Sequence, residues 1–139
     1  MATRRFATAL EAEAAFYTAF SKRDLNGMMA VWDEADDVVC VHPLGTVLVG
    51  AAAVRASFER LLSNPQEMTF MVEERHRSSD DKLALHVVRE HIRIGGKQQP
   101  PVAATNVYRL TEDGWRMILH HASPAPEPEQ PEQQAPTLH

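Results

Sequence analysis

The run Val38-Val39-Cys40-Val41-His42-Pro43-Leu44-Gly45 sets four strand-forming residues ahead of a histidine, a proline and a glycine. Proline has no N–H to give a sheet ladder and glycine admits a tight turn, so the strand stops at His42 and leaves a titratable side chain at its end. Thr46 to Val49 reads as a short return strand closed by Gly50. A helix is then predicted over 51–62, with Val54, Phe58 and Leu61 on one face, broken by Ser63-Asn64-Pro65.

Upstream of the anchor the period is helical. Leu10, Ala14 and Tyr17 recur at i, i+4 and i+7, widened by Phe16 and Phe20, which predicts a helix over 8–22. Asp24 is placed to cap a shorter helix on which Leu25, Met28, Met29 and Trp32 share a stripe. Asp33-Glu34-Ala35-Asp36-Asp37 reads as a solvated acidic turn without calcium-loop spacing. Downstream, residues 67–77, 82–94, 102–110 and 115–122 read as four long strands, joined at Ser78-Ser79-Asp80-Asp81, Gly95-Gly96-Lys97 and Thr111-Glu112-Asp113-Gly114. Helices first and hairpin-linked strands later indicate an α+β fold with an antiparallel sheet.

The 139 residues suit one domain with a substantial core. The domain is expected over 8–123, between an N-terminal arm, 1–7, and a Pro/Glu/Gln-rich tail, 124–139, that reads as disordered and partly polyproline II. No apolar run is long enough for a membrane span and the N-terminus lacks an export-signal core. Cys40, the single cysteine, has no intrachain partner, which suits a reducing, cytoplasmic setting. The net charge is −5, of which Glu127, Glu129 and Glu132 lie in the tail. A nearly neutral body without a basic stripe is no nucleic-acid footprint.

Searches for a phosphate loop, a dinucleotide fingerprint, a Cys-x-x-Cys pair, His-Glu-x-x-His and a nucleophile elbow all fail, so no cofactor is expected. Seven histidines remain: His42, His76, His86, His91, His120, His121 and His139. Strand alternation separates Leu83, Leu85, Val87, Arg89 and His91 from Ala84, His86, Val88, Glu90 and Ile92. It also groups His121 with Trp115, Met117 and Leu119, opposite to His120. A divalent-ion cluster of His42, His91 and His121 is weighed and set aside; no metal is expected. His42 stands apart through its context, because a partly buried neutral imidazole is a competent base at pH 7.

The segments Phe16-Tyr17-Thr18-Ala19-Phe20, Arg23 to Trp32, Val41-His42-Pro43-Leu44-Gly45 and Gly50 to Arg55, taken in order, resemble the nuclear transport factor 2-like superfamily, which includes ketosteroid isomerases and SnoaL-like polyketide cyclases. The ending, Asp113-Gly114-Trp115 with His120-His121-Ala122-Ser123, is similar to the last strand of SnoaL-like members and of the kinase association domain. The resemblance implies three N-terminal helices packed in a curved, mostly antiparallel sheet, a cone-shaped α+β barrel with an apolar pocket. It also implies a homodimer formed through the sheet.

Matched position by position, His42 takes the place of the isomerases' aspartate base before Pro-x-Gly. Phe16 takes that of their tyrosine donor, with Tyr17 turned about 100° around the helix. Asn106, two residues before Tyr108-Arg109, takes that of their protonated aspartate and can donate without any pKa shift. Steroid isomerisation by the known constellation is therefore not expected.

The expectation is a small-molecule-binding protein. Its pocket would be lined by Phe16, Tyr17, Trp32, Phe58, His91, Tyr108 and His121, and would hold a carbonyl-bearing apolar metabolite through His42 and Asn106. One alternative is a cofactor-independent isomerase, cyclase or dehydratase with His42 as general base and Asn106 orienting the carbonyl. A homodimeric interaction domain is the other.

Overall fold

The computed structural model describes residues 5–125; residues 1–4 of the arm and 126–139 of the tail lie outside the described residues. Helix α1 (Ala9–Lys22) starts where its cap chemistry dictates. Thr8 Oγ1 accepts from Glu11 N at 3.1 Å, and Glu11 Oε1 accepts from Ala7 N at 3.1 Å, a reciprocal arrangement of the capping-box kind. The helix ends at Arg23, whose left-handed φ of 55° lets its N–H reach back to the Ala19 and Phe20 carbonyls. Asp24 immediately caps α2 (Leu25–Val31), its Oδ1 accepting from Gly27 N at 3.0 Å. The third helix, α3 (Ala51–Leu62), has the bounds expected of it.

Seven strands follow the order β2-β1-β7-β6-β4-β3, with β5 paired to β4. They are β1 (Val39–Val41), β2 (Leu48–Val49), β3 (Met68–Ser79), β4 (Leu83–Ile94), β5 (Lys97–Gln98), β6 (Val102–Thr111) and β7 (Gly114–Pro124). The sheet is curved, unclosed and mixed, and the three helices pack against it. Among the described residues its one parallel strand pair is β1 with β7, with Cys40 opposite His120 and Val41 opposite His121. All other strand pairs are antiparallel. The anchor stretch thus delivers His42 to the end of a strand inserted between a hairpin partner and the chain's last strand.

The inward face of β4 is Ala84, His86, Val88 and Glu90, all buried. On β6 it is Val102, Ala104, Asn106 and Tyr108. The register places His86 opposite Asn106 and Asn106 opposite His120, so one row across the concave face is polar. Over the rest of that face lies an aromatic cluster from the helices. Phe58 is its hub, with ring centroids 6.1 Å from Phe16, 5.5 Å from Phe20 and 6.3 Å from Trp32. These near-perpendicular or tilted contacts are the favoured geometry for aromatic pairs.

The domain extends beyond the expected 8–123 at both ends. Phe6, assigned to the arm by sequence, is 2% exposed, and its backbone bridges Gly114. Gly114 has φ +96°, and a Cβ there would meet Phe6 O at 2.6 Å, so only glycine permits this approach. Pro124 still pairs with Val102, and Ala125 N donates to Pro101 O at 2.9 Å.

Because Phe58 is fully buried against three other aromatic rings, Phe58→Ala is expected to lower unfolding stability by about 3–5 kcal/mol. Urea denaturation checks this; a loss below about 1 kcal/mol would show that the cluster repacks without it.

Candidate functional site

A cavity of about 420 Å³ opens between the C-terminal ends of α1 and α3 and the ends of β3 and β4. Phe20, Leu61, Met68, Phe70, Ile92 and Ile94 make its walls apolar. Three polar groups face in among them: His42, Glu90 and His120. Pro43 beside His42, and Arg60 and Asn64 from the end of α3 and the turn after it, complete the lining.

His42 is held by its turn and by one hydroxyl. Its carbonyl accepts from Gly45 N at 2.7 Å, which fixes the Pro43-Leu44 corner. Its ring stands on edge to Phe58 at 5.0 Å, and Nε2 lies 3.1 Å from Ser57 Oγ. The Ser57 hydroxyl donates its hydrogen to Val54 O at 2.8 Å, so it accepts from His42 Nε2–H and leaves the lone pair on Nδ1. Burial, and repulsion from the Arg60 guanidinium, push the His42 pKa below its ordinary value, so the ring is neutral at pH 7.

Behind the wall, Asn106 joins the other two groups. Its Nδ2 sits 3.0 Å from Tyr17 OH and 3.4 Å from Glu13 Oε2. A carboxylate oxygen on that side requires the amide NH₂ there and so places Oδ1 against His120. His120 Nδ1 therefore donates to Asn106 Oδ1 at 2.6 Å, leaving Nε2 as the unprotonated nitrogen. Tyr17 accepts from Asn106 and donates to Glu90 Oε2 at 2.6 Å. The chain of donors thus has one direction, from His120 through Asn106 and Tyr17 to Glu90. Complete burial pushes the His120 pKa down to about 3. Burial acts oppositely on an acid: Glu90 is pushed up to about 7, against the Tyr17 hydrogen bond that lowers it and with the repulsion of Glu13 that raises it.

Glu13 closes the far side of this network. Its Oε2 accepts from Tyr108 OH at 3.3 Å. His86 Nδ1 lies 3.1 Å from the same oxygen without making a hydrogen bond to it. Among the described residues no group of three His, Cys, Asp or Glu side chains could hold a metal ion.

Residues 10–127 match the family described as the SnoaL-like domain. This chain belongs to the SnoaL-like domain family. Among solved structures it is similar to a provisionally named calcium/calmodulin-dependent protein kinase type II association domain from Thiobacillus denitrificans. That match is 42% identical with a TM-score of 0.83, covering 87% of this chain and 98% of the other. A provisionally named dehydratase of the nuclear transport factor 2-like family from Streptomyces avermitilis is 34% identical with a TM-score of 0.78, covering 86% and 94%. The F-box protein SKIP8 of Arabidopsis thaliana is 26% identical over 108 residues, which is 78% of this chain and 46% of that protein. The chain therefore spans about half the length of that curated relative.

Of the side chains that the sequence pointed to in this SnoaL-like domain, His42 alone stands in the cavity wall. Asn106 and Tyr17 sit one layer behind it, with their polar atoms spent on each other and on wall residues. Phe16, Phe58 and Trp32 fill the aromatic core, where Trp32 Nε1 is buried without a hydrogen-bond partner among the described residues. Tyr108 is likewise core, facing Glu13. His91 is not in this wall: it lies on the outer face, with Nε2 3.1 Å from Glu73 Oε1.

His121 also lies outside the cavity wall, for a specific reason. Val107 pairs with Leu119 but Tyr108 pairs with Met117, so Ile118 is an extra residue in β7. This bulge inverts the alternation, turning Met117 and His120 inward and leaving His121 exposed. Glu90 was not singled out. Its signal was an acid on the otherwise inward phase of β4, between Val88 and Ile92.

A carboxyl whose folded pKa lies above its unfolded one binds its proton more tightly in the native state. Its stabilising effect is then complete below about pH 4.5 and is lost as pH rises towards 7. Raising the carboxyl to about 7 corresponds to up to about 3 kcal/mol. Urea unfolding from pH 4.5 to 8 should show the wild type losing stability relative to Glu90→Gln, whose amide cannot ionise. Parallel pH profiles would mean that Glu90 ionises as freely in the fold as in water.

Proposed function

We propose that this protein binds a small, largely apolar molecule carrying a carbonyl or hydroxyl oxygen, with that oxygen presented to Glu90 and His120 and its body against the apolar walls. The observation that carries this reading is one cavity of ligand size with apolar walls, into which an acid and two imidazoles converge. His42 is the third polar contact. Asn106 acts from behind, aiming His120 and Tyr17.

A second reading, acid–base catalysis, is favoured by the contrast between these groups. Glu90, near 7, is protonated in a substantial fraction of molecules at neutral pH, whereas both imidazoles are neutral. For a β-hydroxy carbonyl compound, a base would take the proton α to the carbonyl while Glu90 gives its proton to the departing hydroxyl, yielding the unsaturated carbonyl and water. His42 suits the base role better than His120, since a nitrogen with a pKa near 3 offers little driving force. The similarity to a provisionally named dehydratase supports this reading.

Thermal-shift and calorimetric screening of compact apolar alcohols, ketones and β-hydroxy ketones tests both readings. Binding is expected, and Ile92→Trp, which fills the cavity, is expected to abolish it. Binding that survives the filled cavity places the ligand elsewhere. Mass spectrometry of the same mixtures separates the readings, since loss of water from the β-hydroxy ketones indicates catalysis.

We also propose a homodimer formed through the outer face of the sheet, where Leu85, Val87, Val107 and Leu119 are only half-buried within the protomer. Single buried Cys40, with a thiol pushed up to about 12, fits a reducing cytoplasm. Light scattering at micromolar concentration should give twice the chain mass; the mass of one chain would remove the dimer.

A further inference from the structure

The cavity is electrically lopsided. Among the described residues Arg60 is the one Lys or Arg in its wall, and Glu90 is the one carboxyl. Arg60 sits on the last turn of α3, exposed to solvent, and its guanidinium has no hydrogen-bond or ion-pair partner among the described residues. It lines both the main cavity and the adjoining hollow formed by Gly45, Thr46, Leu48 and Ser57, with His42 and Leu61 as the shared wall. It is close enough to His42 to repel that ring's protonated form. Glu90, by contrast, is 3% exposed and tied to Tyr17. The opening therefore presents a cation beside a neutral imidazole, and the interior presents a neutral-prone acid, with Phe20, Phe70 and Ile92 between them.

Resting on the binding reading above, we propose that the ligand is an amphiphilic carboxylate. Its anionic end pairs with Arg60 at the mouth, and its apolar body passes between the aromatic and aliphatic walls. A neutral apolar molecule leaves Arg60 without use. An ammonium compound would meet repulsion there. A carboxylate matches the planar fork of a guanidinium, which can receive both oxygens at once. The orientation follows from the same charges. A carboxylate driven inward would lose both water and the guanidinium, beside a Glu90 that is 3% exposed and already bonded to Tyr17, so the anion stays outward and the apolar or hydroxylated end points to Glu90 and His120.

The test compares two acid–alcohol pairs by isothermal calorimetry: octanoate with 1-octanol, and 3-phenylpropanoate with 3-phenylpropanol. The wild type is expected to prefer each acid roughly five- to tenfold over its alcohol, a preference that shrinks in high salt. Arg60→Ala should abolish that preference, weakening acid binding more than alcohol binding. Arg60→Lys should restore part of it, which excludes a folding defect as the cause. If the wild type binds acid and alcohol equally, or Arg60→Ala keeps the preference, the carboxylate inference falls and the pocket reading stands. If neither member of either pair binds at millimolar concentration, both fall together.

Discussion

Asn106 is a neutral, fully buried side chain on which three otherwise awkward groups depend. A buried amide must satisfy both its ends, and here each end has an assigned partner: Oδ1 takes the His120 proton, and Nδ2 serves Tyr17 and reaches Glu13. Remove the amide and His120 loses the acceptor that fixes its tautomer, while Tyr17 loses the donor that leaves its own hydrogen free for Glu90. The sheet makes this possible by register alone, since His86, Asn106 and His120 occupy one row across β4, β6 and β7. The helix answers with Glu13 and Tyr17, four residues apart and so on one face of α1. The network therefore also cements the main helix to the sheet at a depth where apolar contact would otherwise do so.

The architecture was legible because each element carried local signals that agree with the global arrangement. The Leu10, Ala14 and Tyr17 period marks the first helix, Asp24 the second, and Gly50 and Ser63 bracket the third. The parallel pairing of β1 with β7 left no such mark, because nothing in a three-residue strand distinguishes a parallel neighbour from an antiparallel one. Phe6 and Pro124 were missed for a related reason: their order comes from partners more than twenty residues away, at Gly114 and Val102.

The site was less legible, and a single extra residue accounts for much of the gap. Period-2 alternation is a sound guide until a bulge intervenes, and Ile118 shifts the phase of β7 between Met117 and His120. The sequence therefore pointed at His121 when His120 was the inward group. The aromatic candidates stand away from the cavity for a different reason. Phe16, Trp32 and Phe58 are as apolar as cavity walls demand, but they pack on one another, and only the three-dimensional arrangement shows where the core is full and where it is hollow. The position of His42 at the cavity wall was legible because its signal is topological, a strand end followed by a sharp turn, and such signals do not depend on a neighbour's phase.

The same layering explains how one small wall can hold an acid near neutrality beside two neutral bases. A carboxyl and an imidazole respond to burial in opposite directions, one rising and the other falling, so a common dry environment draws Glu90 and His120 away from charge together. Hydrogen bonds then differentiate them. Tyr17 donates to Glu90 and keeps its pKa within reach of physiological pH, whereas His120 spends its only N–H on a neutral acceptor and gains no stabilisation of a cation. At the rim His42 is less deeply buried, and burial together with the Arg60 guanidinium lowers its pKa. The three groups thus form a graded set ordered by depth. Glu90 is the member whose charge switches near pH 7, and it does so at the inner end of a cavity whose outer end carries the permanent charge of Arg60.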